Sequence, residues 1–192
     1  MPTDNLFMEM KDGRDALAKM YIAQKKMADP TAKYNLGEEP QFTAECIDMC
    51  PVFERHEREF QNGLIRFELI PESGGKVDHR KAVKRYRRSA AGDPPPLPCD
   101  VRTPKALQMT LKYLVEEILG KFGIVESYSF VRDRFRSIRN DLTLQNYRGK
   151  EAIELHEIIA RYHILCCHSL CEIEDVTIQQ EHEQLRKSTS FI

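Results

Sequence analysis

Three stretches between residues 103 and 174 carry large apolar side chains at helical spacing, and this pattern restricts the fold more than any other feature. Within each stretch the apolar residues recur every three or four positions, which places them on one face of an α-helix. The stripes contain Leu107, Leu111, Leu114, Ile118 and Phe122; Tyr128, Val131, Phe135, Ile138 and Leu142; and Leu155, Ile159, Tyr162, Cys166, Leu170 and Ile173. The spacing predicts helices over 103–122, 126–145 and 149–174, the last being the longest.

The joints between these stretches predict how the helices are connected. Thr103 is a good helix cap, Pro104 suits the first helical position, and Gly123 ends the first helix. The tight joint at Gly123 predicts that the first two helices are antiparallel neighbours. No βαβ pattern is present, so we predict an all-α fold of antiparallel helix pairs, of solenoid or tetratricopeptide-like character. Residues 175–188 are polar and predict a helix that needs a packing partner beyond the chain end.

The remaining length predicts an N-terminal arm, residues 1–45, joined to a helical domain, residues 46–192. Residues 1–12 are expected to be a loose end, and 13–28 to form a mildly amphipathic helix. Leu17, Met20 and Tyr21 lie on its apolar face. This helix has two interpretations: it packs on its own domain, or it is a partner-binding arm that docks in a groove. No apolar run of about 18 residues is present, which argues against a membrane-spanning protein.

A distinctive motif begins the helical domain, running from Cys46 to Glu59. An extended lead-in ends at Cys50, and Pro51 is expected to start a charged helix with Glu54 in its first turn. Glu54 with Arg58, and Arg55 with Glu59, are acid–base pairs at i,i+4. Cys46 and Cys50 could suggest zinc, but no second pair follows at finger spacing. We therefore predict a buried structural cysteine pair and no metal.

Two groups of cations are candidates for binding a partner. Residues 78–91 are predicted to form a short helix, followed by a stiff polyproline run, after an extended piece at 64–70. The helix would present Arg80, Lys81, Lys84, Arg85, Arg87 and Arg88. Because few acids accompany these cations, the segment is interpreted as a patch that follows nucleic-acid phosphates or as a dock for an acidic protein. The second group is Arg132, Arg136 and Arg139, which could form an ion-paired face or a further nucleic-acid contact.

Signatures of catalysis are missing from the sequence. No serine lies in a Gly-x-Ser-x-Gly elbow, no cysteine and histidine share a recognisable local signature, and the glycines at 74 and 75 lack a phosphate-loop context. We therefore predict no active site and no cofactor.

Three blocks of the sequence are distinctive when taken together: CIDMCPVFERHERE (46–59), AVKRYRRSAAGDPPPLPCDVRTP (82–104) and FVRDRFRSIRNDLTLQNY (130–147). In this order they resemble the SAC/GANP family of nuclear-pore-associated mRNA-export scaffolds. The resemblance covers roughly 46–174, and Ile47 stands where the family usually has proline. The signature residues, assigned a structural role, are Cys46, Asp48, Met49, Cys50, Pro51, Glu54 and Arg55.

This resemblance implies a non-enzymatic scaffold in the nucleus, at the nuclear pore, whose helices lead toward a PCI-type region that the chain does not complete. The implied partners are a PCI-domain subunit, a small acidic DSS-type protein, a DEAD-box RNA helicase, and RNA bound weakly and without sequence preference. Two alternatives stay open: a stand-alone nucleic-acid-binding module, and a centrosomal or mitotic structural protein of the same family.

Overall fold

The N-terminal residues are held by aromatic packing. The computed structural model describes residues 2–35, 37–88, 93–173 and 176–190. Helices α1 (Pro2–Asp12), α2 (Arg14–Ala23) and α3 (Val52–Phe60) belong to the first of two compact units, Met1–Ala106. Phe7 of α1 is buried, with its ring 5.5 Å from that of Phe53 and 5.1 Å from that of Phe60. The expectation of a loose end at 1–12 was therefore wrong, because Phe7 packs this helix against α3.

The helix predicted over 13–28 is shorter than expected, since α2 ends at Ala23. Outside these helices and the start of the next one, the described residues of the first unit form loops with 3₁₀ turns at Arg66–Glu68 and Pro98–Asp100. The first turn lies inside the piece expected to be extended, 64–70. An isolated bridge pairs Leu69 with Val77 directly after it.

Proline residues mark two helix starts as predicted. Helix α3 begins directly after Pro51, and helix α4 (Pro104–Tyr113) begins at Pro104. The Thr103 hydroxyl accepts a hydrogen bond from the Ala106 N–H at 3.3 Å and so caps α4. Proline fits here because its fixed φ suits the first turn, where its missing N–H would have no partner.

The second unit, Leu107–Ile192, is built from helices. A π-helical stretch (Leu114–Leu119) continues α4 and leads into α5 (Gly120–Leu144), which is followed by α6 (Lys150–Ser169) and α7 (Ile178–Thr189). Helix α6 packs on α5, and α7 packs on α6. The predicted helix over 149–174 thus starts correctly, but it ends earlier and is shorter than α5.

Gly123 breaks α5 near its start, as the sequence predicted. Its φ of 71° and ψ of 173° lie outside the helical region, and glycine tolerates such a conformation because it has no Cβ. Phe122, expected on the buried stripe, is exposed. The wider π-helical turn before it shifts the side-chain register, which moves Phe122 off the apolar face.

The interior of the second unit follows the predicted stripes closely. Phe135 packs edge-on against Tyr162, with ring centroids 4.9 Å apart. Fully or nearly fully buried apolar residues are Leu107, Leu111, Leu114, Ile118, Val131, Phe135, Ile138, Leu142, Leu155, Ile159, Cys166 and Leu170. Burial of one stripe per helix is what joins these helices into one core.

The all-α prediction is confirmed. Across the residues that the structure describes, β pairing is limited to the isolated bridges Cys46–Arg102 and Leu69–Val77. Among the same residues, none of the helices is long and apolar enough to cross a membrane. The continuation toward a PCI-type region stays a prediction.

Matched isoleucines test the core assignment. Ile138 is fully buried in α5, whereas Ile164 on α6 is 55% exposed. Ile138→Ala should lower the free energy of unfolding by about 2–5 kcal/mol, because it leaves a cavity. Ile164→Ala should change it by less than about 0.5 kcal/mol. Urea denaturation followed by circular dichroism measures both, and equal losses would show that the α5 stripe is not core.

Candidate partner and nucleic-acid interface

The lead-in of the signature motif is paired to a distant segment through its backbone. The Cys46 N–H donates to the Val101 carbonyl at 3.0 Å, and the Cys46 carbonyl accepts from the Thr103 N–H at 2.9 Å. Between these contacts lies fully buried Arg102, whose guanidinium donates to the Met49 carbonyl at 3.4 Å. The predicted extended lead-in is therefore fixed by residues more than fifty positions later.

Two arginines on α3 hold this unit together. Arg55 donates to the Asp48 carboxylate at 2.7 Å and to the His79 carbonyl at 3.0 Å. Arg58 lies 3.3 Å from the Glu54 carboxylate, which confirms the predicted i,i+4 pair. The predicted pair of Arg55 with Glu59 does not form.

Arg58 and Glu68 form an ion pair inside the first unit. An Nη atom of Arg58 lies 2.7 Å from each oxygen of Glu68, and both side chains are at most 1% exposed. The other Nη of Arg58 donates to the Val83 carbonyl at 3.1 Å and to the Cys50 sulfur at 3.3 Å. Glu68 in turn accepts from the Val83 N–H at 3.0 Å. The pair thus links α3, the 3₁₀ turn, Cys50 and the segment at Val83.

The two signature cysteines are free and buried. Burial raises the pKa of the Cys46 thiol to about 11 and raises the pKa of Cys50 as well. Both groups are therefore neutral thiols at pH 7, whereas metals bind the thiolate. Within the described ranges, no group of three or more His, Cys, Asp or Glu side chains is arranged to hold a metal ion.

The basic segment is not a helix. Residues 82–88 are irregular and follow a turn, whereas 89–92 lie outside the described residues. The backbone N–H of Val83 donates to Glu68, that of Lys84 to the Met49 carbonyl and that of Arg85 to Glu54, at 3.0, 3.0 and 2.8 Å. These bonds use the donors that a helix would need, and a dense row of like charges disfavours a helix in any case. The prediction of a helix at 78–91 was wrong for this reason.

The cations of this segment nevertheless remain largely on the surface. Lys84 is half-buried, and its ammonium donates to the Asp100 carbonyl at 2.6 Å. Lys81 pairs with Asp78, and Arg87 lies 3.7 Å from Glu57. The exposed members of the group are Arg80, Lys81, Arg85, Arg87 and Arg88. Their role in RNA binding stays a prediction, now based on an irregular segment instead of a helix face.

The second group of arginines contacts α7. Arg132 pairs with Glu181 and donates to the Gln180 side chain at 3.1 Å. Buried Arg139 donates to the Gln184 carbonyl at 3.1 Å and to the Ser188 hydroxyl at 3.3 Å. Arg136 is half-buried. The arginines therefore attach the last helix to α5, which corrects the expectation that this helix lacks a packing partner in the chain.

Glu181 is the centre of that attachment. Its carboxylate is fully buried and accepts from Arg132, from the Tyr128 hydroxyl at 2.8 Å and from the His163 Nδ1 at 2.6 Å. Burial alone would raise the pKa of Glu181, but these three partners lower it to about 2. Glu181 is thus a buried carboxylate that stays ionised and joins three helices.

The arm residues singled out by the sequence have different surroundings. Tyr21 is buried with Met27 and Leu97, and its hydroxyl donates to Glu45 at 2.9 Å. Leu17 and Met20 remain exposed. Helix α2 therefore packs on its own unit through Tyr21 while keeping two apolar side chains at the surface.

Sequence reasoning missed the residues that do most of the structural linking. Arg58 was expected only as the i,i+4 partner of Glu54, and Glu68, Arg102 and Glu181 were not singled out. Each is a charged residue among other charged residues, so no local pattern distinguishes it. Only long-range pairing reveals its role.

Comparison with known proteins gives a consistent family relationship. The model of the SAC3/GANP family matches residues 49–192. The chain is 48% identical over 184 residues to SAC3 family protein 1 of Schizosaccharomyces pombe, covering 95% of the chain and 18% of that protein. It is 35% identical over 170 residues to Protein xmas of Drosophila melanogaster, covering 85% of the chain and 8% of that protein. It is 33% identical over 176 residues to SAC3 family protein B of Arabidopsis thaliana, covering 89% of the chain and 10% of that protein.

Neutralising Glu68 tests the buried ion pair. Glu68→Gln leaves the Arg58 charge buried without its counter-ion, so the free energy of unfolding should fall by about 3–5 kcal/mol. Glu183→Gln is the control, because Glu183 forms an exposed pair with Lys187 and its loss should cost far less than the loss of Glu68. Urea titrations at pH 7 measure both, and similar small losses would contradict a linking role for the pair.

Acid should loosen the second unit before Glu181 is protonated. Burial and the nearby Arg139 lower the pKa of His156 to about 4, below its ordinary value of 6.5. Above pH 6.5 the histidine is neutral in both folded and unfolded chains; below it, only the unfolded chain gains the proton readily. His156 alone should therefore lower stability by about 2 kcal/mol between pH 7 and pH 5, and His163, whose pKa burial also lowers, should add to the loss. Glu181 should add a further loss from pH 4.5 toward pH 2, since its pKa is lowered.

The measurement is the urea midpoint as a function of pH. His156→Gln should flatten the pH dependence between pH 7 and pH 5. His182→Gln is the control, because it removes an exposed histidine instead of a buried one. A profile that neither variant alters would assign the acid sensitivity to other groups.

Proposed function

Because the chain belongs to the SAC3/GANP family, we propose that it is a non-enzymatic scaffold of the nuclear-pore transcription-and-export machinery. The observation that carries this proposal is the family match over 49–192 together with the signature motif at 46–59, which departs from the family at Ile47. The chain spans less than a fifth of the length of each of the relatives compared above, so partners of the whole protein are part of the proposal.

The proposed partners are a PCI-domain subunit, a small acidic DSS-type protein, a DEAD-box RNA helicase and RNA, and the proposed place is the nuclear pore. The rigid framework around Arg58 and Glu68 supports a scaffold role, since it fixes one arrangement of loops that helices alone would not define. The exposed basic residues support contact with something acidic, either RNA phosphates or the acidic protein.

Depletion of the protein from cells tests the export role. Loss of an export scaffold should retain polyadenylated RNA in the nucleus, visible by in situ hybridisation, and re-expression should restore its export. Mitotic spindle defects without RNA retention would instead favour the centrosomal alternative. Normal RNA distribution and normal division would reject both family roles.

Charge reversal in the basic segment tests RNA binding. Replacing exposed Arg80, Arg85 and Arg88 by Glu should weaken binding of single-stranded RNA. For every phosphate that the variant no longer neutralises, the log–log salt dependence of the affinity should flatten by about 0.7. Because these side chains are exposed, the thermal unfolding temperature should stay nearly constant.

A matched control reverses three exposed cations elsewhere, Lys112, Lys150 and Arg161, which changes the net charge equally. Fluorescence anisotropy with labelled RNA at several salt concentrations compares the two variants. Equal weakening would indicate a general charge effect, and an unchanged slope in the first variant would assign the segment to a protein partner. Binding by the chain without any partner would favour the stand-alone nucleic-acid module.

A further inference from the structure

An apolar pocket of about 380 Å³ opens in the first unit between the arm and the signature motif. Met10 and Leu17 line it from the arm, Ile47 and Asp48 from the lead-in, and Val52 and Phe53 from α3. Its volume lies at the small end of the range typical of ligand sites, which suits one large apolar group and little more.

The wall of the pocket is fixed before anything binds. Arg14 pairs with the Asp100 carboxylate, and its guanidinium lies over the Phe53 ring, 4.2 Å from the ring centroid. The positive charge is thus neutralised and the ring is held in place. A preformed wall lowers the entropy lost on binding.

Large apolar side chains surround the pocket mouth. Ile47 is 75% exposed, and Leu17 and Val52 are exposed as well. Single exposed apolar residues are ordinary on protein surfaces, but several that converge on one pocket are typical of an interaction site.

One carboxylate at this mouth is available to a cation. The Asp48 side chain is 51% exposed and uses one oxygen to accept from Arg55 at 2.7 Å. Its second oxygen has no hydrogen-bond partner among the described residues. Glu45, the other carboxylate near the lead-in, is already occupied by Lys26 and Tyr21. Asp48 therefore still offers one exposed oxygen, and a basic group of an occupant can donate a hydrogen bond to it.

We propose that this pocket docks a peptide segment of a partner protein, which inserts one large apolar side chain and places a lysine or arginine against Asp48. An apolar anchor in a preformed pocket with a charged group at the rim is the common arrangement of interaction hot spots. The site goes beyond the export role, because it depends on the pocket and not on which complex the chain joins. In this proposal exposed Leu17 contacts the bound peptide, whereas Tyr21 only packs inside its own unit.

Selection from a random peptide library on phage tests the proposal, with the full 192-residue chain as the target. Recovered peptides should share a large aliphatic or aromatic residue with a lysine or arginine within one helical turn of it. Their affinities are then measured with synthetic fluorescent copies by anisotropy. A library that yields no peptide, or peptides without the basic residue, would overturn the proposal.

Matched variants assign the binding to the pocket. Ile47→Glu should weaken the selected peptides at least about tenfold, whereas Ile164→Glu, at another exposed isoleucine, should leave them unchanged. Val52→Glu provides a second pocket variant, and thermal unfolding verifies that each variant is folded. Equal effects at Ile47 and Ile164 would overturn the proposal. Light scattering that shows a dimer for the natural chain and a monomer for Ile47→Glu would assign the pocket to a second copy of the chain instead.

The charge is tested separately at two carboxylates of equal exposure, Asp48 and Glu157, each 51% exposed and each paired with an arginine. Asp48→Asn should weaken the basic peptides by about two- to fivefold, as expected for a surface ion pair, while Glu157→Gln should not. A peptide whose lysine is replaced by glutamine should lose this sensitivity to Asp48→Asn. If the sensitivity persists, Asp48 does not recognise the cation and the proposed specificity is wrong.

Discussion

The buried ion pair between Arg58 and Glu68 is the interaction on which the first unit depends. Removing two charges from water is expensive, and their attraction offsets this only when the remaining donors and acceptors are also satisfied. Here the Val83 backbone supplies both a carbonyl for Arg58 and an N–H for Glu68. If Val83 moved away, Arg58 and Glu68 would each lose a backbone hydrogen-bond partner while remaining buried. The chain around it is therefore held by buried hydrogen bonds although it forms no helix.

The second unit uses the same physical device with a different carboxylate. Helix α7 has few apolar residues, and no apolar stripe could attach it to the core. Glu181 attaches it instead, through Arg132, Tyr128 and His163. Directional bonds of this kind fix the position of a polar helix more narrowly than apolar contact, which tolerates sliding. In both units a buried carboxylate therefore positions elements that hydrophobic burial leaves undefined.

The difference between apolar stripes, which follow local spacing, and polar bonds to distant residues explains what the sequence could predict. Local rules worked where neighbours in the chain decide the conformation: Pro51, Thr103 with Pro104, and Gly123 marked helix ends as expected, and the stripes around Phe135 and Ile138 are buried. Local rules failed where distant partners decide. Residues 2–12 are helical and held in place because the Phe7 ring packs on rings of α3. The basic segment is irregular because Glu68, Met49 and Glu54 accept hydrogen bonds from its backbone N–H groups. No spacing rule indicates such partners. The helix assigned to the cations at 80–88 was therefore wrong, whereas their role in binding stays a prediction.

The irregular conformation changes what the basic segment can contact. A helix would rise about 1.5 Å per residue and crowd its cations on one side. Residues 82–88 are irregular instead, with Arg85 and Arg88 both exposed, so no helix face gathers these cations. Spread cations can each meet a separate phosphate of a flexible strand, while a compact cluster would compete for one or two. The ion pair that holds Val83 thus determines not only the fold of the first unit but also the spacing of the charges that it displays.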